Sequence, residues 1–443
     1  MAWFSISRLF FAGSGLSFRT GKYFGLATIA GTFAGFVVVA FRRLIDLGDK
    51  WVFSGIGGGD RWVMAFLPAA GAILGYLLIR RFDSLEHIRG TDSAILAFHR
   101  RHGYVPPAVL PVKSVASVLT VASGGSAGYE GPVTLIGAAC GSIVASWFGL
   151  SRRARRILMT AGISAGIAAL FQAPLAGAIF GFEVLYSSSD IEYDCILPCF
   201  AASTISYTIY AYFFGWGALF PMPGGIAYQN GLRLFPYFLL AVAVAFAARL
   251  YISVFGEVSR RFAAMKIPGE AKVAIGGFVT GAIGFFVPEV LGTSYPVIQK
   301  TLSAETAGLG ALLLVFFAKT VATSFTVGSG GSGGVFAPAI VCGGTLGGAV
   351  GVFFSRVLPA SWGVHPAAFA LVGMAGFLAS AIRTPLTAII MVAEISGNHQ
   401  LIVPAMWVCG IAFWLNNGWT LYRSQPHCRE SSMIHSSGER RRG

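Results

Sequence analysis

Long apolar runs dominate this chain. Tyr23–Phe41, Trp62–Ile79, Phe235–Phe255, Ala271–Val287 and Leu309–Val327 each carry at most one charged residue. A helix of about 20 apolar residues spans the hydrocarbon core of a bilayer. These runs therefore predict a polytopic membrane protein built from helices. Composition agrees: 55% of residues are hydrophobic and 11% charged, where a soluble chain carries about 25% charged. Other runs, such as Val105–Val121 and Val335–Phe354, are short or interrupted by Gly and Pro. They predict helices of uneven length, some of which do not cross fully.

The formal charge of +14 would suggest nucleic acid in a soluble chain. Here it reads as the positive-inside bias of a membrane protein, and no nucleic-acid partner is expected. The basic clusters are Arg8/Arg19/Lys22, Arg42/Arg43, Arg80/Arg81, Arg152/Arg153/Arg155/Arg156 and Arg440–Arg442. Basic termini predict that both ends are cytoplasmic. Residues 1–22 lack a clean apolar core and an A-x-A site, so an N-terminal cytoplasmic or interfacial segment is expected rather than a removable signal. The six cysteines form no CxxC pair and read as small packing residues. No metal or cofactor is expected.

The chain also repeats itself. "AGISAGIAALFQAPLAGAIFGFEV" (161–184) and "VGMAGFLASAIRTPLTAIIMVAEI" (372–395) match at an offset of 211: Gly162 with Gly373, Pro174 with Pro385, Glu183 with Glu394. Upstream, "GYEGP" (128–132) matches "GVFAP" (334–338) at an offset of 206. The repeat predicts two halves, about 62–220 and 234–422, within a transmembrane domain of residues 23–425. Duplicated halves in membranes often have inverted topology, with a ligand site between broken helices. The breaks here are Gly124–Pro132 and Gly328–Pro338.

A helix that starts inside the membrane leaves its first N–H groups unpaired. Those groups and the helix dipole favour an anion. Proline is tolerated in the first turn. Gly128, Tyr129, Gly131 and Pro132 in one half, with Gly334 and Pro338 in the other, read as two such starts lining a small anion site. Dipoles bind an ion yet let it leave, where full charges would hold it.

Glu130 stands in the first break. A carboxylate at a helix N-terminus is itself an anion and competes for the same place. Burial favours its protonated form and neighbouring N–H groups favour the ionised one. It therefore reads as a gate and a proton carrier. Without a functional role it is a capping carboxylate, although an intramembrane acid is costly enough to be functional by default. "GSGGSGG" (328–334) also fits G-x-G-x-x-G, but a long apolar span precedes it and no acid follows about 20 residues on.

These segments resemble the CLC family of chloride channels and proton-coupled chloride exchangers. "GYEGP" resembles its G-R/K-E-G-P, and "GGVFAP" (333–338) its G-x-F-x-P. "LPVK" (110–113), "FQAPLAG" (171–177), "IRTPLT" (382–387) and "TLY" ending at Tyr422 also look like family segments. The resemblance implies an all-α fold with inverted repeats and a homodimer with one pore per subunit. It implies that Glu130 is the external gating glutamate. The N–H groups of Val335 and Phe336 would hold the central anion, and the Tyr422 hydroxyl would donate to it. Tyr422 also reads as an interfacial anchor, and Phe336 as a packing aromatic. Glu183 reads as a helix-end acid and Lys113 as a charge that biases the field toward anions.

The sequence departs from the family pattern in three places. Tyr129 stands where Arg or Lys usually precedes the gate; its hydroxyl is free to donate a hydrogen bond instead. The G-S-G-x-P turn is absent, and ungapped counting from "VLPVK" places "IRGTD" (88–92) there. Arg89 then takes the serine position, and Gly90 and Thr91 offer N–H groups, unless Thr91 and Asp92 are a plain N-cap. In "FGFEVLY", Glu183 takes the first of two positions that are often acidic in exchangers, and Val184 the second, where the internal proton glutamate would sit. Valine carries no proton.

The expected function is thus a chloride-selective passive channel in the inner membrane of a prokaryote, gated by Glu130. The alternatives are chloride/proton antiport or transport of another small anion. No enzyme's constellation of side chains is visible. Residues 426–443 are polar and basic and read as a disordered tail, with no regulatory nucleotide-binding (CBS) modules expected.

Overall fold

The computed structural model describes residues 15–50, 61–82, 90–222, 234–303, 308–359 and 362–435. They are almost entirely helical. The first half contains α1 (Gly15–Lys50), α2 (Arg61–Arg80), α3 (Gly90–Arg100), α4 (Val109–Ala122), α5 (Glu130–Trp147), α6 (Arg152–Phe171), α7 (Pro174–Glu183) and α8 (Ile196–Phe214). The second contains α9 (Leu234–Ala264), α10 (Gly269–Phe286), α11 (Tyr295–Leu302), α12 (Leu309–Gly328), α13 (Phe336–Val357), α14 (Pro366–Ala381), α15 (Pro385–Ser396) and α16 (Ile402–Leu415). Seven helical stretches among the described residues are long and apolar enough to cross a membrane. The expected mixture of lengths is present, since α4, α14, α15 and the stretch His399–Leu415 are apolar but shorter.

Three sequence expectations need correction. The run Val335–Phe354 is not broken: α13 continues over 22 residues. Its proline, Pro338, lies in the first turn, where no N–H is needed, and its glycines serve packing instead. The helix α1 starts at Gly15, ahead of the expected boundary at residue 23, although its apolar span begins only at Gly21; residues 1–14 lie outside the described residues. The tail is ordered through residue 435. Ser187 N–H donates to Pro426 O at 3.0 Å and Ser188 N–H to His427 O at 2.9 Å. Arg429 N–H donates to Asp190 Oδ2 at 2.7 Å, and His435 Nε2 meets Glu192 at 2.8 Å. These polar partners lie between α7 and α8, and composition alone gives no sign of them. Residues 436–443 lie outside the described residues.

The two halves pack by the same device. Helix α5 presses on α6, and α13 on α14, along seams of small residues that let backbones approach closely. A Cβ on Gly137 would stand 2.2 Å from Gly162 O, and one on Gly162 2.1 Å from Gly137 O. In the second half the same pair is Gly343 and Gly373, at 2.6 and 2.5 Å. With no hydrophobic force between helices in lipid, this close packing does the holding. Both α5 and α13 are buried along nearly their whole length.

Candidate functional site

The two breaks meet. Gly128 N–H donates to Gly334 O at 2.8 Å, and Gly334 N–H donates back to Gly128 O at 2.8 Å. This antiparallel bridge is the pseudo-twofold contact between the halves. Gly131 and Gly334 lie so close that a Cβ on Gly131 would stand 2.8 Å from Gly334 Cα. Side-chain bonds repeat the symmetry: Ser117 Oγ lies 3.1 Å from Ser332 Oγ, and Ser126 Oγ 3.0 Å from Thr323 Oγ1. The helices α5 and α13 both start from this junction, so their N-termini converge.

Glu130 is 1% exposed and is the first residue of α5. Its carboxylate reaches across to the other half. Ala337 N–H, in the first turn of α13, donates to Oε2 at 3.2 Å. The Tyr295 hydroxyl donates to Oε1. The acid therefore sits at the N-terminus of α13, where dipole and free N–H groups favour negative charge. The N–H groups of Val335 and Phe336 take no partner among the described residues. The Phe336 ring packs against Phe171 at 5.3 Å and Phe180 at 5.6 Å. Phe336 is thus a packing aromatic, and its backbone N–H has no partner among the described residues. Pro132 and Pro338 occupy the first turns of their helices, where their missing N–H costs nothing.

Gly90 opens α3 with φ +40°, and a Cβ there would lie 3.4 Å from Gly131 Cα. This brings Thr91 to the same junction. Its hydroxyl is buried without a partner, although it lies close enough to Tyr422 for the two to interact. Tyr422 is 4% exposed and sits within electrostatic reach of Glu130. Asp92 does not simply cap α3. It accepts from Ser424 N–H at 2.9 Å and Ser424 Oγ at 3.0 Å, tying the segment that carries Tyr422 to α3. Arg89 lies outside the described residues.

The remaining candidates fall elsewhere. Tyr129 packs edge-on against Phe41 at 5.8 Å, and its buried hydroxyl meets no acceptor among the described residues; it does not donate the hydrogen bond offered by the sequence. Lys113 is buried in α4. Val184 is fully buried at the end of α7, its carbonyl accepting from Gln425 Nε2 at 2.8 Å. Glu183 caps the opposite half: it accepts from Leu386 N–H and Thr387 N–H, both at 2.8 Å, and from Thr387 Oγ1 at 2.6 Å. Its repeat mate does the reciprocal job. Glu394 accepts from Leu175 N–H at 3.0 Å and Ala176 N–H at 2.8 Å.

Two participants escaped the sequence reading. Tyr295 shares no motif with Glu130. Lys319 was legible: 113 + 206 = 319, so it is the repeat mate of Lys113. It is wholly buried in α12, donates to Val290 O at 3.0 Å and Gly292 O at 2.7 Å, and acts electrostatically on Glu130.

Comparison with known proteins agrees with this architecture. The voltage gated chloride channel family matches residues 70–417. A putative chloride channel protein ClcB-like of Ralstonia nicotianae is 30% identical over 400 residues, covering 87% of this chain and 90% of its own. The H(+)/Cl(-) exchange transporter ClcA of Cronobacter sakazakii is 30% identical over 395 residues, covering 87% and 84%. Among solved structures, a slow cyanobacterial Cl-/H+ antiporter superposes with TM-score 0.78 at 22% identity, over 95% of this chain and 98% of its own. A CLC-type fluoride/proton antiporter gives 0.81 at 20%, over 94% and 99%; at such identities these two speak for the fold alone. The chain is an integral, multi-pass membrane protein of the voltage-gated chloride channel (CLC) family, with that family's inverted-repeat fold.

Proposed function

We propose that this protein exchanges chloride for protons, with Glu130 as both gate and proton carrier. The observation that carries the reading is the seat of the Glu130 carboxylate on the Ala337 N–H at the start of α13. A carboxylate and a chloride ion compete there, and protonation releases the carboxylate. The free N–H groups of Val335 and Phe336, the N-terminus of α3 at Gly90 and Thr91, and the Tyr422 phenol then serve the anion. The ClcA relatives, named as H(+)/Cl(-) exchange transporters, support exchange over the passive channel expected from the sequence. The Lys113 and Lys319 cations favour an anion over a cation along the path.

Val184 favours the second reading, passive conduction. Valine carries no proton, and Glu183 spends its carboxylate on three donors at the start of α15. Exchange then needs water as the inner proton path. The decisive measurement is the reversal potential of reconstituted protein in a chloride gradient, with and without an opposing pH gradient. Displacement by the pH gradient supports exchange. A potential at the chloride Nernst value, indifferent to pH, establishes a channel. Flux of fluoride and nitrate in competition with chloride tests the anion.

The same reading carries a homodimer with one pore per subunit, in a bacterial inner membrane with both termini cytoplasmic. Cross-linking in native membranes and accessibility of cysteines placed near each end test these points.

A further inference from the structure

We propose that Tyr295 is the latch of the gate: its phenol sets how firmly Glu130 holds the anion's place. This inference rests on reading Glu130 as the gate. Backbone N–H groups serve the carboxylate, that of Ala337 and its own, and the Tyr295 hydroxyl donates to it from a side chain. A hydrogen bond to an ionised acceptor is roughly twice as strong as a neutral one, so a phenol in this position weighs heavily on the seated, charged form. A protonated carboxyl, or one that has left the seat, loses that advantage.

The phenol is held in place by its surroundings. Tyr295 begins α11 directly after Ser294, whose φ of +62° turns the chain into the helix. The ring packs edge-on against Phe220 at 5.3 Å. The preceding loop is pinned twice: Lys319 Nζ donates to the Val290 and Gly292 carbonyls, and Gly292 N–H donates to Gly124 O at 3.3 Å. Gly124 belongs to the break that carries Glu130. Latch and gate are thus tied through Gly292, and the buried lysine that pins the same loop also acts electrostatically on the carboxylate. Such over-determination fits a donor that positions an anion rather than a tyrosine that fills space.

The test is chloride flux from vesicles as a function of pH and chloride. Tyr295→Phe keeps the ring and its packing and removes only the hydroxyl. With the seated form weakened, chloride displaces Glu130 more easily, and protonation releases it at lower proton concentration. The half-saturating chloride concentration should fall about tenfold and the half-activation pH should rise by about one unit. Phe220→Leu, which loosens the ring and spares the hydroxyl, should shift both in the same direction by less. In a Glu130→Gln background Tyr295→Phe should change neither. An unshifted Tyr295→Phe protein, with pH dependence still abolished by Glu130→Gln, overturns the latch and leaves the gate. A shift that persists beside Glu130→Gln also overturns it, since the phenol then acts on the anion itself. Intact pH dependence in Glu130→Gln alone removes the gate, and the latch with it.

Discussion

The two membrane breaks share a backbone path and differ most in the side chain that opens each helix. Gly128–Pro132 and Gly334–Pro338 exchange a pair of hydrogen bonds at 2.8 Å, and each leads into a buried helix. At the first helical residue one has Glu130 and the other Phe336. The phenyl packs in a cluster with Phe171 and Phe180, while its backbone N–H has no partner among the described residues. The carboxylate crosses to the other half and sits on Ala337 N–H. Symmetry of backbone brings two helix N-termini together; asymmetry of side chain seats one carboxylate there. A carboxylate in both breaks would set two like charges against each other in a medium that screens them poorly.

The largest expected effect breaks the shared part. Gly131→Ala and Gly334→Ala each push a Cβ into backbone: to 2.8 Å from Gly334 Cα in one case, to 2.6 Å from Gly131 N in the other. Overpacking costs about 1–3 kcal/mol where side chains can yield. Backbone yields less, so both variants should lose most monodisperse protein in size-exclusion chromatography. The two losses should be alike, because the contact is mutual.

The next test separates the halves. Glu130→Gln should abolish the pH dependence of chloride flux while flux persists. Phe336→Leu should keep the pH dependence and lower the melting temperature, since it only loosens the aromatic cluster. Equal effects on pH dependence would remove the asymmetry on which the functional reading stands.

A smaller contrast concerns the reciprocal caps. Glu183→Gln replaces a buried carboxylate that serves three donors and should cost about 1–3 kcal/mol. Glu394, which serves two donors and is less buried, should cost about 1 kcal/mol or less as Glu394→Gln. Thermal unfolding in detergent reads the difference. Smallest of all, Ser117→Ala and Ser332→Ala should each cost about 0.5 kcal/mol and the double variant little more than either, because they share one hydrogen bond.

Much of this was legible before any coordinates. Apolar runs announce spans because bilayer thickness sets their length. Offsets of 206 and 211 announce two halves because a duplicated fold keeps its turn and packing residues. Glu130 stands out because a lone acid among glycines and aliphatics is costly in a membrane. The same offset also pointed to Lys319, which was overlooked. Tyr295 could not be found this way: it meets Glu130 across 165 residues of chain, and no local pattern records such a contact. The packing of residues 426–435 was hidden likewise, because a polar segment looks the same whether its partners are water or the N–H groups and carboxylates of another loop.

The sequence by itself determined a membrane chain of two related halves, two glycine-lined breaks and one acid between them. These follow from local chemistry: hydrophobic length, backbone freedom at glycine, and the cost of a charge in lipid. Only the tertiary structure decided where the acid's carboxylate rests, that Glu183 and Glu394 cap each other's halves, and that a tyrosine from a distant helix donates to the acid. Those are meetings of side chains with groups far along the chain, and their partners are chosen by how the halves pack.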